Sequence, residues 1–371
     1  MASRLHPSSL RRMARLALLA AGLIASAAAA VAETSSWSER MVVAPREKAP
    51  AQTGAPIGGF ATVKPKSVRT SPTAASAAAA GSSLHEKSTP AEIEDAAYFA
   101  FDQGRYLTAL DLAQKAAARG DPQAHTLIGR IYEEGFGVPM DAKVAAQWYA
   151  KGAELGDLEA TFALGVLSAQ GRGVKKDDFA AARYFEAAAA KGHALANYNL
   201  ALMFLKGTGK PENPYRAFMH MRYAAEQGVT AAQYDLGTLY ATGTGVDPNA
   251  FEAAKWIGKA ANAGNVEAEV DYAVLLFKGH GVAPDPKRGA ELFRSAAERG
   301  VAAAQNRLAR CYANGAGVRK SLKEAAKWHL IAKANGVQDE QLEKLVAGLS
   351  KADRLEAEKA ANDWRERALI Q

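Results

Sequence analysis

LGTLYATGTGV, residues 236–246, and AAKWIGKAANAG, residues 253–264, are the two halves of one pattern that decides how the chain folds. The pattern repeats every 36 residues and is written six times over 121–336 without insertion or deletion. The copies begin at Asp121, Asp157, His193, Val229, Asn265 and Val301, and close on Gly156, Gly192, Gly228, Gly264, Gly300 and Gly336. A fixed period of this length marks a stacked-repeat architecture, because one short unit cannot bury its own apolar face and must borrow cover from its neighbours.

The columns of the repeat say what each unit is. Position four is always alanine (Ala124, Ala160, Ala196, Ala232, Ala268, Ala304). Position eight is large and mostly aliphatic (Ile128, Leu164, Leu200, Leu236, Tyr272, Leu308), and position nine is always small (Gly129, Gly165, Ala201, Gly237, Ala273, Ala309). Apolar residues at these spacings form one face of a helix, and a small residue there admits a second helix at close range. Glycines at positions fifteen and seventeen, from Gly135 and Gly137 to Gly315 and Gly317, break the helix into a turn. A second helical pattern follows, carried by Ala145, Trp148, Gly152 and Ala153 in the first unit and by Ala325, Trp328 and Ala332 in the sixth. The closing glycine ends it. Each unit is therefore a helix–turn–helix.

This pattern resembles the Sel-1-like repeat, a subfamily of the tetratricopeptide repeats, on the strength of the two motifs quoted above and over the whole of 121–336. The resemblance implies an all-α, right-handed α-solenoid of stacked hairpins. In the third unit Lys210 stands where valine is usual, and Pro211 and Pro214 crowd the turn, which predicts a local change of loop shape.

Outward from the repeats, residues 1–32 read as a secretory signal. Arg4, Arg11, Arg12 and Arg15 precede an apolar run over 16–30, and Ala30, Val31 and Ala32 form a small-x-small cleavage site that leaves Glu33 first. The expected location is periplasmic or secreted. Membrane contact is expected only through an uncleaved signal. Residues 33–90 are rich in Ala, Ser, Thr, Pro and Gly, 36 residues out of 58, too few apolar groups to offset the entropy of ordering; a disordered linker is expected. Residues 91–120 read as a degenerate capping repeat, and 337–371 as C-terminal capping helices. In that last segment one helix is expected over 338–349 and a second opening at Ser350 and Asp353, with Leu355 and Trp364 packing on the sixth repeat.

Charge excludes one class of partner. The chain carries 46 basic and 39 acidic residues, a net +7, but the excess lies in the first 90 residues, and the region from 91 onward is balanced. No basic footprint for nucleic acid is left there. The seven histidines share no column within the repeats and have no acid or cysteine at metal spacing, so neither a metal nor a cofactor is expected. Cys311 is the one cysteine and reads as a small buried hydrophobe. Some cysteine-rich Sel-1-like proteins carry paired cysteines in every repeat and a penicillin-binding or β-lactamase activity; this chain lacks those pairs, and the activity does not carry over. The glycine turns lack the ending of a phosphate loop, and no nucleophile elbow is present.

What remains is a surface. By similarity to tetratricopeptide repeats, positions six, ten and thirteen of the first helix should line a concave groove. In the middle units this stripe is apolar and aromatic: Phe162, then Tyr198, Leu202 and Leu205, then Tyr234, then Phe277, with Lys206 and Lys278 one position beyond. It reads either as a site for a partner peptide or helix or as packing between neighbouring first helices. On the first reading, Tyr198→Ala and Tyr234→Ala weaken partner binding and leave the melting temperature nearly unchanged. The expected function is a non-catalytic scaffold or adaptor for protein partners in the bacterial cell envelope. Two rivals are a periplasmic regulator of a membrane sensor kinase and a hydrolase acting on cell wall or β-lactams. The linker could also touch a cell-wall polymer.

Overall fold

The computed structural model describes residues 89–370, and the expected signal and nearly all of the expected linker lie outside them. Sixteen helices and no strand occur among the described residues. In chain order they are α1 (Pro90–Asp102), α2 (Tyr106–Ala117), α3 (Pro122–Glu134), α4 (Ala142–Glu154), α5 (Leu158–Gln170), α6 (Asp178–Ala190), α7 (Ala194–Lys206) and α8 (Pro214–Glu226). Then come α9 (Thr230–Thr242), α10 (Ala250–Asn262), α11 (Val266–Lys278), α12 (Pro286–Glu298), α13 (Ala302–Asn314), α14 (Leu322–Ala334), α15 (Glu340–Ala347) and α16 (Lys351–Ile370). The twelve repeat helices, α3 to α14, each contain thirteen residues, as a period without insertions requires.

The chain forms two compact units. The first runs to Lys151 and takes in residues 172–174; the second comprises residues 152–171 and everything from Lys175 on. In the first unit α1 pairs with α2, and α2 packs on α3. In the second unit hairpins are laid in series: α5 with α6, α7 with α8, α9 with α10 and α11 with α12, each second helix also packing on the first helix of the next hairpin. This is the stacking of an all-α solenoid. The capping helices α15 and α16 pack on α14.

The columns have physical meanings. All six position-four alanines are fully buried. The small ninth residue faces a large one on its own hairpin partner: a Cβ added to Gly165 would stand 2.6 Å from the Phe185 ring, and one on Gly129 2.6 Å from Tyr149. The two turn glycines have different tasks. Gly243 caps α9 in the left-handed region, at φ +74°. Gly245, two residues on, is a stacking contact: a Cβ there would run into the carbonyl of Pro214, the first residue of the preceding hairpin's second helix. Gly209, Gly281 and Gly317 meet Asp178, Ala250 and Pro286 in the same way, and Gly173 meets Ala142 in the first unit.

Caps fix where the helices begin. At position twenty-one Asp141, Asp177, Asn213, Asn249, Asp285 and Ser321 each accept a backbone N–H of the helix that follows. The backbone N–H of the same residue donates to the carbonyl at position twelve in every copy, from Asp141 to Tyr132 at 2.8 Å through Ser321 to Tyr312 at 3.0 Å. This bond explains why the third turn does not change shape, contrary to the expectation from Pro211 and Pro214. Asn213 still donates to Phe204 at 2.9 Å, and Gly207 and Gly209 keep φ of 68° and 66°. Neither proline occupies a donor position of the turn. Pro214 is the first helical residue, where its missing N–H costs nothing. Lys210 pairs with Glu186 at 2.8 Å.

The ends refine the expectations. α1 opens with a reciprocal capping box between Thr89 and Glu92. The first C-terminal helix is shorter than 338–349 because Asp339 caps it. Ser350 does cap α16 through the Asp353 N–H. Trp364 meets Trp328 edge to face at 5.8 Å. Leu355 does not pack; it is 65% exposed. Buried Ala357 and Ala361 with half-buried Trp364 form the i, i+4, i+7 packing stripe of α16, and Leu355 lies about half a turn away from it.

Candidate interaction surface

The stripe expected to line a groove is mostly interior. Tyr198 is 0% and Leu202 1% exposed; Phe162 and Tyr234 are also buried. Leu205, Lys206 and Phe277 are half-buried, and Lys278 is exposed. The two tyrosines tie neighbouring hairpins together. The Tyr198 hydroxyl on α7 donates to Asp235 Oδ2 on α9 at 2.9 Å, and the Tyr234 hydroxyl on α9 donates to Asp271 Oδ2 on α11 at 2.8 Å. Position six thus looks toward position seven of the next copy. Phe277 stacks on Phe293 of its own hairpin at 5.6 Å. Phe162 stacks on His193 at 4.4 Å.

Polar column seven completes this row in the second unit: Asn199, Asp235, Asp271 and Arg307. Burial pushes the Asp271 carboxyl above its ordinary range, and the Tyr234 hydrogen bond with the charge of Arg307 only partly opposes that. Burial likewise lowers the Arg307 guanidinium, against the pull of Asp271. At the C-terminal end Arg310 Nε reaches Asp339 Oδ2 at 2.7 Å and Asn306 Nδ2 reaches the same oxygen at 2.9 Å. Burial alone would raise the Asp339 carboxyl, but these bonds and the Leu342 N–H outweigh it and hold it at about 2.

In α11 and α13 of the second unit the side of the first helix that stays open runs along positions three, seven, ten and fourteen. Glu267, Lys278, Arg307, Arg310 and Asn314 are exposed on it, and Asp271 and Val274 half-buried. This stripe has the same i, i+4, i+7 spacing as the expected one but is turned around the helix. The signal that points to it is the pair Asp271 and Arg307 in column seven.

The other candidate groups serve the fold. His193 caps α7 through Nδ1, at 3.0 Å from the Ala196 N–H, and its Nε2 lies 3.1 Å from Glu159 Oε1. His125 Nδ1 bonds the Asp121 carbonyl at 2.7 Å. His220 bonds Asn197, and burial lowers its imidazole. Cys311 is buried, which pushes its thiol up to about 11. Among the described residues no group of three or more His, Cys, Asp and Glu is placed to hold a metal ion, and no helix is long and apolar enough to cross a membrane.

Comparison with known proteins agrees with this geometry. The family model described as the Sel1 repeat matches seven consecutive segments: 106–121, 122–157, 158–193, 194–229, 230–265, 266–301 and 302–337. A protective antigen present in uropathogenic Escherichia coli strains, whose crystal structure displays an SLR fold, is 28% identical, with a TM-score of 0.67 over 77% of this chain and 62% of that one. The present chain therefore covers less than two thirds of that antigen. A Sel1 repeat protein from Oxalobacter formigenes is also 28% identical, with a TM-score of 0.57 over 65% of this chain and 99% of that one. Comparison with curated proteins gave no match.

Proposed function

The chain belongs to the Sel1 repeat family, typically non-catalytic protein-interaction scaffolds, and from this we propose that it is an exported adaptor of the bacterial cell envelope that holds a partner peptide or helix along the open stripe of its first helices. The observation that supports the reading is that stripe itself. In α11 and α13 the charged side chains of Glu267, Lys278, Arg307 and Arg310 stay in solvent along positions three, seven, ten and fourteen, while most of the rest of each helix is spent on packing. Phe277 and Leu205, half-buried beside Lys278 and Lys206, supply apolar contact next to charge. No catalytic domain is indicated. Export rests on the arginine-led apolar run of residues 1–32.

The reading is tested by placing a photo-crosslinking residue at Lys278 and, separately, at exposed Lys359 on α16, in the cells that make the protein. A protein captured at 278 and absent at 359 supports it. Capture at neither position, or the same capture at both, overturns it. Fractionation must also find the chain outside the cytoplasm with Glu33 at its N-terminus. Turnover of nitrocefin or peptidoglycan above background by the purified chain would remove the adaptor role.

A further inference from the structure

Position twenty-nine of the repeat lies in the second helix and is a core position. Tyr149, Phe185, Met221, Ile257 and Phe293 fill it in the first five copies, and all are buried. The sixth copy puts His329 there, 1% exposed. Its Nδ1 is buried and has no hydrogen-bond partner among the described residues. Its Nε2 lies 3.8 Å from Glu343 Oε1 on α15, too far for a hydrogen bond. Lys333 Nζ already holds both Glu343 oxygens, at 2.8 and 3.0 Å. A titratable ring thus takes a place that the other copies give to a large, mostly apolar side chain.

That place lies under the end of the stack. α14 is the last repeat helix, and α15 and α16 cover it. The cover is thin: Leu342 is the one buried residue of α15, and α16 packs through Ala357, Ala361 and Trp364. Few charged groups face the ring. Lys333 does so from its own helix, and Glu343 and the cap residue Asp339 do so from α15. Arg310 and Asn306 of α13 hold Asp339 Oδ2, and the first N–H groups of α15 hold Oδ1. On α16 the carboxylates that reach α14, Asp353 and Glu356, pair with Lys323, well over a turn from His329. A neutral imidazole has one N–H to place, whereas an imidazolium has two and a full charge. Burial outweighs the attraction of the two carboxylates and lowers the imidazole from its ordinary 6.5.

We propose that His329 makes this cap acid-sensitive: uptake of a proton by the buried ring releases α15 and α16 from α14, so the end of the stack is closed at neutral pH and opens in mild acid. In the open cap the ring is hydrated and takes its proton at the ordinary 6.5. Its contribution to closure is therefore whole above that pH and is lost as pH falls below it. Lys333 holds Glu343 below the usual carboxylate range and Asp339 stays at about 2, so both carboxylates keep their charge while the ring titrates. The device uses residues outside the open stripe of α11 and α13 and does not depend on the adaptor role.

The test is amide hydrogen exchange of the full chain at pH 7.5 and pH 5.0, with each rate divided by the intrinsic rate at its pH. Protection over 340–370 is expected to fall at least threefold in acid. At both values it should stay below the protection of α10, as opening of the cap alone requires. His329→Phe installs the residue that Phe185 and Phe293 already place in this column, so the cap should form and its protection should no longer fall. Glu343→Gln removes a carboxylate that favours the charged ring, and the fall should become larger. Cap protection that ignores pH overturns the proposal. So does a His329→Phe chain whose cap opens in acid as the parent's does, a smaller fall in Glu343→Gln, or a cap that exchanges only together with α10.

Discussion

At the scale of single residues, the tyrosine ladder favours one of two readings. In the sequence Tyr198 and Tyr234 read either as binding anchors, whose loss would spare stability, or as packing between neighbouring first helices. Tyr198 is wholly interior, and its hydroxyl serves a buried carboxylate on the next hairpin. Tyr198→Ala is therefore expected to cost about 3–5 kcal/mol of stability, as truncation of a buried aromatic does. Tyr198→Phe should cost about 1–3 kcal/mol, the cost of leaving Asp235 short of a donor. Urea denaturation of the two variants checks both values; an unchanged midpoint for the alanine variant would restore the anchor reading. The glycines give a second contrast. At Gly264 a Cβ meets nothing within 4 Å, and only its φ of +86° resists substitution, so Gly264→Ala should cost about 1–2 kcal/mol. Gly245→Ala must bear a similar backbone penalty and also displace the Pro214 carbonyl, so its loss should exceed that of Gly264→Ala by about 1–3 kcal/mol. Equal losses would show that the stacking contact is soft. In the sequence neither glycine shows which of them meets a neighbour, because composition reports a break in the helix but not what the neighbouring hairpin brings against it.

At the scale of elements, periodicity made the hairpins readable and left their rotation open. The alanine column at position four and the small residue at position nine identify the packed face of each first helix, and all six alanines are interior. Which of the remaining faces meets the next hairpin depends on contacts thirty-seven residues away in the chain, such as Tyr198 to Asp235 and Tyr234 to Asp271. A stripe count within one helix cannot supply these. The acid at position seven facing a tyrosine at position six was visible in the repeat alignment, though only as a pair spanning two copies. Capping was also legible, in the Asp, Asn and Ser of position twenty-one, and it overrides the crowding that two prolines suggested for the third turn. The cap of α15 gives a pH test. Asp339 is held at about 2, below its ordinary 3.8, so its contribution is present in full above about pH 4 and disappears as pH falls toward 2. The shift corresponds to about 2 kcal/mol. Asp339→Asn should lower stability by that amount at pH 7 and by much less near pH 2, in urea melts run across the range. A deficit that does not change with pH would mean that Arg310 and Asn306 do not select the ionised form.

At the scale of the molecule, stability in a stack is close to a sum over units and their junctions. Removing residues 230–265, one full period, joins Val229 to Val266 in matching phase. The shortened chain is expected to fold with its helicity per residue kept and to melt at a lower temperature than the parent. Its Tyr198 should then donate to Asp271, and Gly281 should press on Pro214. Circular dichroism and a structure of the deletion variant check this. Loss of cooperative melting would mean that the units are not interchangeable.

The meeting of each turn with the hairpin before it has one more consequence. A bump and its socket are both carried within a single 36-residue stretch, the socket at the start of the second helix and the bump in the turn, each ready for a different neighbour. Copying or losing a whole stretch keeps every joint matched, whereas adding one amino acid to a turn spoils the joint on that side. Such an array is free to drift in its number of copies while the length of each copy stays fixed, which is how six copies can stand end to end here without a single gap.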